Sequence, residues 1–201
     1  MKGLRSALLP LVLLLCSCAA VPPQPRDDPE VLRAAREARV QAVEQWSFNG
    51  RAAVRGEGID PRSVRLYWAA GADRHRLEFM SPLGQRAAEL EFDAHGATLR
   101  LPKEAPRSAR SAEALLDEAL GWTPPVTSLV YWVRGLPGPE HGREGDLYDA
   151  WGRPTLLEQD GWQVEFERWE EEAGLVLPRR LTLTHPLLRI RLLIDGWNPG
   201  A

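Results

Sequence analysis

Cys16 and Cys18 are the chain's only thiols, and the residues before them decide which can react. Met1-Lys2-Gly3-Leu4-Arg5 precedes an apolar run from Ala7 to Leu15, followed by Cys16-Ser17-Cys18-Ala19. A basic start, a short apolar core and a small residue before the break describe an export signal. The run is too short to stay in a bilayer as a spanning helix. Leu15 stands three residues before Cys18 and Ser17 one before it, an arrangement that resembles a bacterial lipobox. In such a motif residues 1–17 are removed and the cysteine becomes a lipidated N-terminus. Cys16 fits poorly, because Leu15 occupies the small-residue position. The alternative is an ordinary exported protein in which Cys18 is incidental. Lipidation of Cys18 leaves no thiol in the folded part, and therefore no disulfide, thiol nucleophile or cysteine-based metal site, even in an oxidising compartment.

Other chemistry is sparse. His75, His95, His141 and His185 are scattered, with no HExxH pair, and no serine lies in a GxSxG elbow. No glycine-rich phosphate loop with its lysine and hydroxyl is present. The expectation is a protein with no catalytic residues, no metal and no cofactor. The formal charge is -3, and loss of Lys2 and Arg5 with the leader takes it to -5, which is no footprint for nucleic acid. One turn stands out. In Ser81-Pro82-Leu83-Gly84, Pro82 suits the second position of a type I turn and Gly84 the left-handed position after it. Leu83 then sits at a hairpin tip, where polar residues are the rule. Either it folds back onto the sheet rim, or it is kept outside to touch lipid or acyl chains.

Residues 18–28, with Pro22, Pro23, Pro25, Asp27 and Asp28, read as an extended polar tether, and residues 29–201 suit one domain. All eight tryptophans lie in that domain. A helix is expected from Pro29 to about Gln45, capped by Asp28, with Arg33, Arg36, Glu30 and Glu37 on a solvated face. Period-two alternation follows in Phe48–Val54, Val64–Trp68, Leu77–Phe79, Ala88–Phe92 and Leu99–Leu101. Two helices interrupt it: one from Ser111 to Gly121, another from Thr123-Pro124-Pro125 to near Gly135. Strands resume at 147–150, 154–159, 162–168, 180–185 and 188–194. The reading is mainly β: one long antiparallel sheet with three helices for its apolar face, curling because twisted sheets of this length do. Periodicity leaves open whether the enclosed space is packed or hollow.

The chain resembles a known family. The segments that carry the resemblance are Trp46, Asn49-Gly50-Arg51-Ala52, Trp68, the Ser81–Gly84 turn, Ala88-Glu89-Leu90 and Gly121-Trp122-Thr123-Pro124-Pro125-Val126. They continue with Leu129-Val130-Tyr131-Trp132-Val133-Arg134-Gly135-Leu136-Pro137-Gly138, Gly161-Trp162-Gln163-Val164 and Ile194-Asp195-Gly196-Trp197. In this order, behind a lipobox, they are similar to LolB, the outer-membrane lipoprotein receptor family. The resemblance covers essentially the whole mature chain. It implies a single-domain curved antiparallel half-barrel enclosing a hydrophobic cavity covered by a helical lid. It also implies a role in accepting lipoproteins from the periplasmic carrier LolA and inserting them into the outer membrane. The partners implied are LolA, acylated cargo and outer-membrane lipids, with the protein itself a monomer.

By resemblance to Gram-negative lipoproteins, Ala19 after Cys18 favours the outer membrane, periplasmic face. Pro82, Leu83 and Gly84 match the family's membrane-insertion loop. Trp68, Leu77, Phe79, Leu90, Phe92, Leu99 and Trp132 are the candidate acyl-chain cavity, with a packed core as the alternative for each. The polar stretch from Arg51 to Arg62 leaves the inward path of the first hairpin unassigned. The rival function is a structural or sensory outer-membrane lipoprotein acting through protein partners.

Overall fold

The computed structural model describes residues 25–81, 83–139 and 144–200. The expected leader, Cys18, most of the tether and Pro82 lie outside these. In chain order the elements begin with α1 (Pro29–Gln41), β1 (Trp46–Gly56), β2 (Ile59–Ala70), β3 (His75–Met80) and β4 (Arg86–Asp93). Then come β5 (Gly96–Arg100), β6 (Arg107–Ala109), α2 (Ala112–Leu120), α3 (Val126–Trp132) and β7 (Leu147–Tyr148). The chain ends with β8 (Pro154–Gln159), β9 (Trp162–Glu172), β10 (Leu175–His185) and β11 (Leu188–Pro199).

Among the described residues the eleven strands form one antiparallel sheet in the order β6-β5-β4-β3-β2-β1-β11-β10-β9-β8-β7. Two meanders run outward from the centre, and the first strand pairs with the last, from Trp46 opposite Pro199 to Gly56 opposite Leu188. The free edges are the three-residue β6 and the two-residue β7. Edges this short offer little template for unwanted pairing. The sheet is therefore open, as expected, and α2 packs over β4, β5 and β6.

Local chemistry sets the helix ends. The Asp28 carboxylate accepts from the Glu30 N–H and Pro29 occupies the first helical position. Ser111 caps α2 by accepting from the Ala114 N–H, and Gly121 closes it at φ 75°. The short α3 has no cap from its own preceding residue; instead the Glu113 carboxylate on α2 accepts from both the N–H and the hydroxyl of Thr127.

Two expectations need correction, and the stretch left unassigned is resolved. α1 ends at Gln41 instead of Gln45, because Gln45 already accepts from the Gly200 N–H and Trp46 is paired between Ala70 and Pro199. The Arg51–Arg62 stretch is the continuous β1–β2 hairpin, turning at Gly58 with φ 69°. And α1 carries no solvated Arg36–Glu37 face: both residues are buried. The Arg36 guanidinium donates to the carbonyls of Gly135 (2.8 Å), Arg134 (2.9 Å) and Val176 (3.3 Å) and lies 4.6 Å over the Trp169 ring. Burial pulls its pKa down to about 10, so it stays charged at neutral pH. A cation held by carbonyls at the end of α3 also complements that helix terminus.

Gly135 makes this pin possible. It has φ 70°, and a Cβ there would lie 2.4 Å from Trp169 Cη2 and 2.6 Å from Arg36 Nη2. Gly135→Ala is therefore expected to cost about 2 kcal/mol or more, from the left-handed backbone and the displaced guanidinium together. Denaturant unfolding of the two proteins checks this; equal midpoints would mean that the pin carries no stability.

Candidate functional site

The sheet register stacks the inward side chains in rows. The first row, Trp46, Ala70, His75 and Phe92, lies at the end where β1 begins. The next is Trp197, Phe48, Trp68, Leu77, Leu90 and Leu99, running across six strands. These two rows form a dense aromatic floor. Phe48 and Trp197 have centroids 4.9 Å apart, Trp46 and Trp68 5.6 Å, and His75 stacks on Phe92 at 4.8 Å. Arg134 lies 5.6 Å over the Trp46 ring.

Above the floor the side chains shrink. The third row is Ile194, Gly50, Leu66, Phe79 and Ala88. The fourth is Leu181, Leu192, Ala52 and Val64, and the fifth Leu183, Ile190, Val54 and Arg62. Gly50 cannot be larger, since a Cβ there would lie 2.5 Å from the Leu193 carbonyl oxygen. Small residues on the central strands leave the concave side under-filled, and a cavity of about 390 Å³ results. Leu116, Leu120, Trp122, Val126 and Leu129 from the helical segment cover it. Its wall is apolar apart from Arg62. Wall residues nearer the β3–β4 turn are the more exposed: Arg62 and Ala87 are exposed and Phe79 and Ala88 half-buried, while Phe48 and Trp68 are buried. The cavity thus meets solvent on the turn side. Ala87 reaches the wall because the β3–β4 register slips between Phe79 and Met80, where β4 carries one extra residue.

Of the cavity residues expected from sequence, Trp68, Leu77, Phe79 and Leu99 line the space. Leu90, Phe92 and Trp132 do not. Leu90 is fully buried on a strand that α2 covers, and Phe92 is held against His75. Trp132 is fully buried at the end of α3 and donates to the Gln159 side-chain oxygen at 2.8 Å, which also accepts from the Gly138 N–H. It fastens the lid to β8. Sequence reasoning missed Arg62, Ala87, Trp122 and the β10–β11 wall; the alternation of Leu183, Ile190 and Leu192 carried that last signal.

Among the described residues of the turn, Ser81 and Gly84 have the expected geometry. The Gly84 N–H donates to the Ser81 carbonyl at 2.9 Å, the Gln85 N–H to the Ser81 hydroxyl, and Gly84 has φ 77°. Leu83 is 87 % exposed, so it does not fold back onto the rim. No helix among the described residues is long and apolar enough to cross a membrane.

Residues 44–197 match the family model described as outer membrane lipoprotein LolB. The chain is 37 % identical over 202 residues to the outer-membrane lipoprotein LolB of Nitrosococcus oceani, across the whole of both chains. It is 36 % identical over 193 residues to that of Pseudomonas putida strain GB-1, covering 94 % of this chain and 93 % of the other. The match to that of Stutzerimonas stutzeri is 36 % over 203 residues, 99 % of this chain and 98 % of the other. Two crystal structures share the fold. A LolA superfamily protein from Nitrosomonas europaea has a TM-score of 0.52 at 8 % identity, over 86 % of this chain and 94 % of that one. A DUF1329 family protein from Desulfovibrio piger has a TM-score of 0.55 at 9 % identity, with the same coverage.

Two predictions follow from the rows. In a soluble form beginning at residue 25, Phe79→Asp should keep its circular dichroism yet bind a hydrophobic fluorophore at least about tenfold more weakly, since a carboxylate on an apolar wall is poorly solvated. Leu90→Asp should instead lose its fold, because it buries a charge in packed surroundings. Equal behaviour of the two would contradict the division between wall and core. Burial, helped by Arg134, lowers the His75 pKa to about 4. Below about pH 6.5 the unfolded chain takes up a proton that the folded one refuses, so stability falls as pH drops toward 4. In His75→Phe that part of the pH dependence should flatten in urea titrations.

Proposed function

The chain belongs to the outer membrane lipoprotein LolB family, and on that premise we propose that it receives lipoproteins by their acyl chains and delivers them to the outer membrane. It is an outer-membrane protein acting in lipoprotein localisation. Cys18 carries the lipid anchor, residues 18–28 are the tether and residues 29–201 the receptor domain, a monomer facing the periplasm. The donor is a soluble LolA-type carrier. The observation that carries the reading is a lidded, apolar cavity of about 390 Å³ that opens beside an exposed leucine tip.

Physical chemistry sets the task. Burying an acyl chain is worth about 0.8 kcal/mol per methylene, so three long chains in water are intolerable. A receptor must offer a cavity no worse than the donor's and poorer than the bilayer, and transfer then runs downhill without nucleotide. A cavity of ~150 Å³ holds benzene, which is about 25 Å³ per carbon, so the observed 390 Å³ has room for roughly sixteen carbons. That is one long chain, and a triacylated cargo requires the lid to lift. Trp68, Leu77, Phe79 and Leu99 form the part of the acyl site expected from sequence, and Leu66, Trp122 and Ile190 extend it. Leu83, with Pro82 and Gly84 shaping its turn, partitions into acyl chains during hand-over. The structural or sensory rival has no use for a hollow interior.

Leu83→Glu separates acceptance from delivery. As a surface substitution it should shift stability by no more than about 0.5 kcal/mol. The variant should take lipoprotein from the carrier and fail to pass it to vesicles, so that cargo accumulates on the receptor. Melting curves with a two-step transfer assay read both, and normal delivery by the stable variant would end the insertion reading.

A further inference from the structure

A second hairpin repeats the Leu83 arrangement. The β10–β11 turn reads His185-Pro186-Leu187-Leu188, and His185 pairs with Leu188, so Pro186 and Leu187 form the tip. Leu187 is 60 % exposed. Ser81-Pro82-Leu83 and His185-Pro186-Leu187 thus both put leucine directly after proline at a hairpin tip. The register places the two tips at the same end of the sheet. Gly56 at the end of β1 is opposite Leu188, and β2, running back from that hairpin, meets β3 with Arg65 opposite Met80, just before the Leu83 turn. Between them lies only the β1–β2 hairpin, so the tips are about four strand spacings apart, ~20 Å along the sheet. The cavity opens on this same end.

The Leu187 turn is braced. Its carbonyl accepts from the Glu57 N–H at 3.1 Å, and Gly56 packs so closely that a Cβ would come within 2.7 Å of that oxygen. The side chain is nevertheless left outside. Behind it, Arg189 on β11 is directly opposite Arg55 on β1, both exposed. Among the described residues neither arginine has an ion-pair partner, and neither Glu57 nor Asp60 on the adjoining turn bridges to them. Like charges directly opposite on a ladder are unfavourable. An apolar tip backed by two arginines without counter-ions fits the boundary between phosphate headgroups and acyl chains.

We propose that the β10–β11 turn is a second bilayer contact, in which Leu187 enters the acyl boundary while Arg55 and Arg189 bind lipid phosphate. It rests on the outer-membrane receptor reading, which keeps a bilayer within reach of the protein. One tip leaves the receptor free to pivot on the surface. Two tips on either side of the central hairpin hold the cavity mouth toward the membrane, and phosphate relieves the repulsion between the arginines.

The test uses the full-length lipidated protein in vesicles of phosphatidylethanolamine and phosphatidylglycerol. An environment-sensitive fluorophore is placed on Leu187→Cys, on Leu83→Cys, or on Asp73→Cys in the β2–β3 turn at the opposite end. The expected result is a several-fold gain and blue shift at positions 187 and 83, with quenching by spin-labelled acyl chains, and no change at 73. Adding Arg55→Gln and Arg189→Gln should abolish most of the gain at 187 and leave 83 unchanged. A water-like signal at 187 beside a shifted one at 83 would overturn this contact alone. Water-like signals at both would overturn the insertion reading of Leu83 as well. A shift at 187 that is indifferent to the arginine substitutions would overturn the phosphate role.

Discussion

The pairing of β1 with β11 holds two otherwise separate meanders in one sheet. Every other strand pair joins neighbours in sequence or lies outward of this seam. It brings the N-terminal wall, carrying Phe48, Ala52 and Val54, against the C-terminal wall, carrying Leu192 and Ile190. Without it neither half has a concave side to cover. The seam also demands backbone closeness: Gly50 meets β11, and Gly56 the β10–β11 turn, at distances no Cβ could tolerate. Long-range pairing of this kind repays its loop-closure entropy only when complete, which ties the lid and the walls to a single folding event.

The hollow arises from a gradient in side-chain size. Six rings lie in the first two rows, while the central strand β1 carries only Gly50, Ala52 and Val54 above them. A well-packed interior tolerates no such deficit, and an apolar void forfeits the contacts its lining would make. The cost is offset elsewhere. The aromatic floor, the Arg36 pin on the carbonyls after α3 and the Trp132–Gln159 bond fix the frame around the empty space. On the outer face Glu89 and Glu91 sit among Arg76, Arg86 and Arg100, and the hydrogen bond from Arg100, with that from Arg76, holds the Glu91 carboxyl below its ordinary range. Such half-exposed pairs add little stability. They keep that face charged while the apolar one is buried.

Strand existence was legible because alternation with period two is local, and the start of α2 at Ser111 and its stop at Gly121 are written in single residues. What failed was tertiary. Arg36 looks solvated beside Glu37 and Arg33 until the Gly135 carbonyl arrives from 99 residues away. β6 is too short to show a period, and the Glu170-Glu171-Glu172 run conceals the extension of β9. Within the site, alternation identifies inward residues but cannot tell wall from floor. Phe79 and Leu90 look alike in sequence and differ only in which row they join and whether α2 lies above them. The tip position of Leu83 was the exception, since a turn is defined by its own four residues, although they left open whether the side chain folds back or stays outside.

The unequal ends of the strand order carry a mechanical consequence. Among the described residues β6 and β7 are not paired with each other; α2 packs over β4, β5 and β6, and α3 is bonded to β8 through Trp132. A closed barrel fixes its girth through strand number and stagger. An open one can change its circumference by flexing, with every backbone ladder intact. The side-chain bonds of Arg36, Trp132 and Gln159, which tie the end of the helical segment to α1 and β8, are separate from those ladders. On the receptor reading proposed above, an open frame of this kind holds a single acyl chain or widens around several, with the sheet as its jaws.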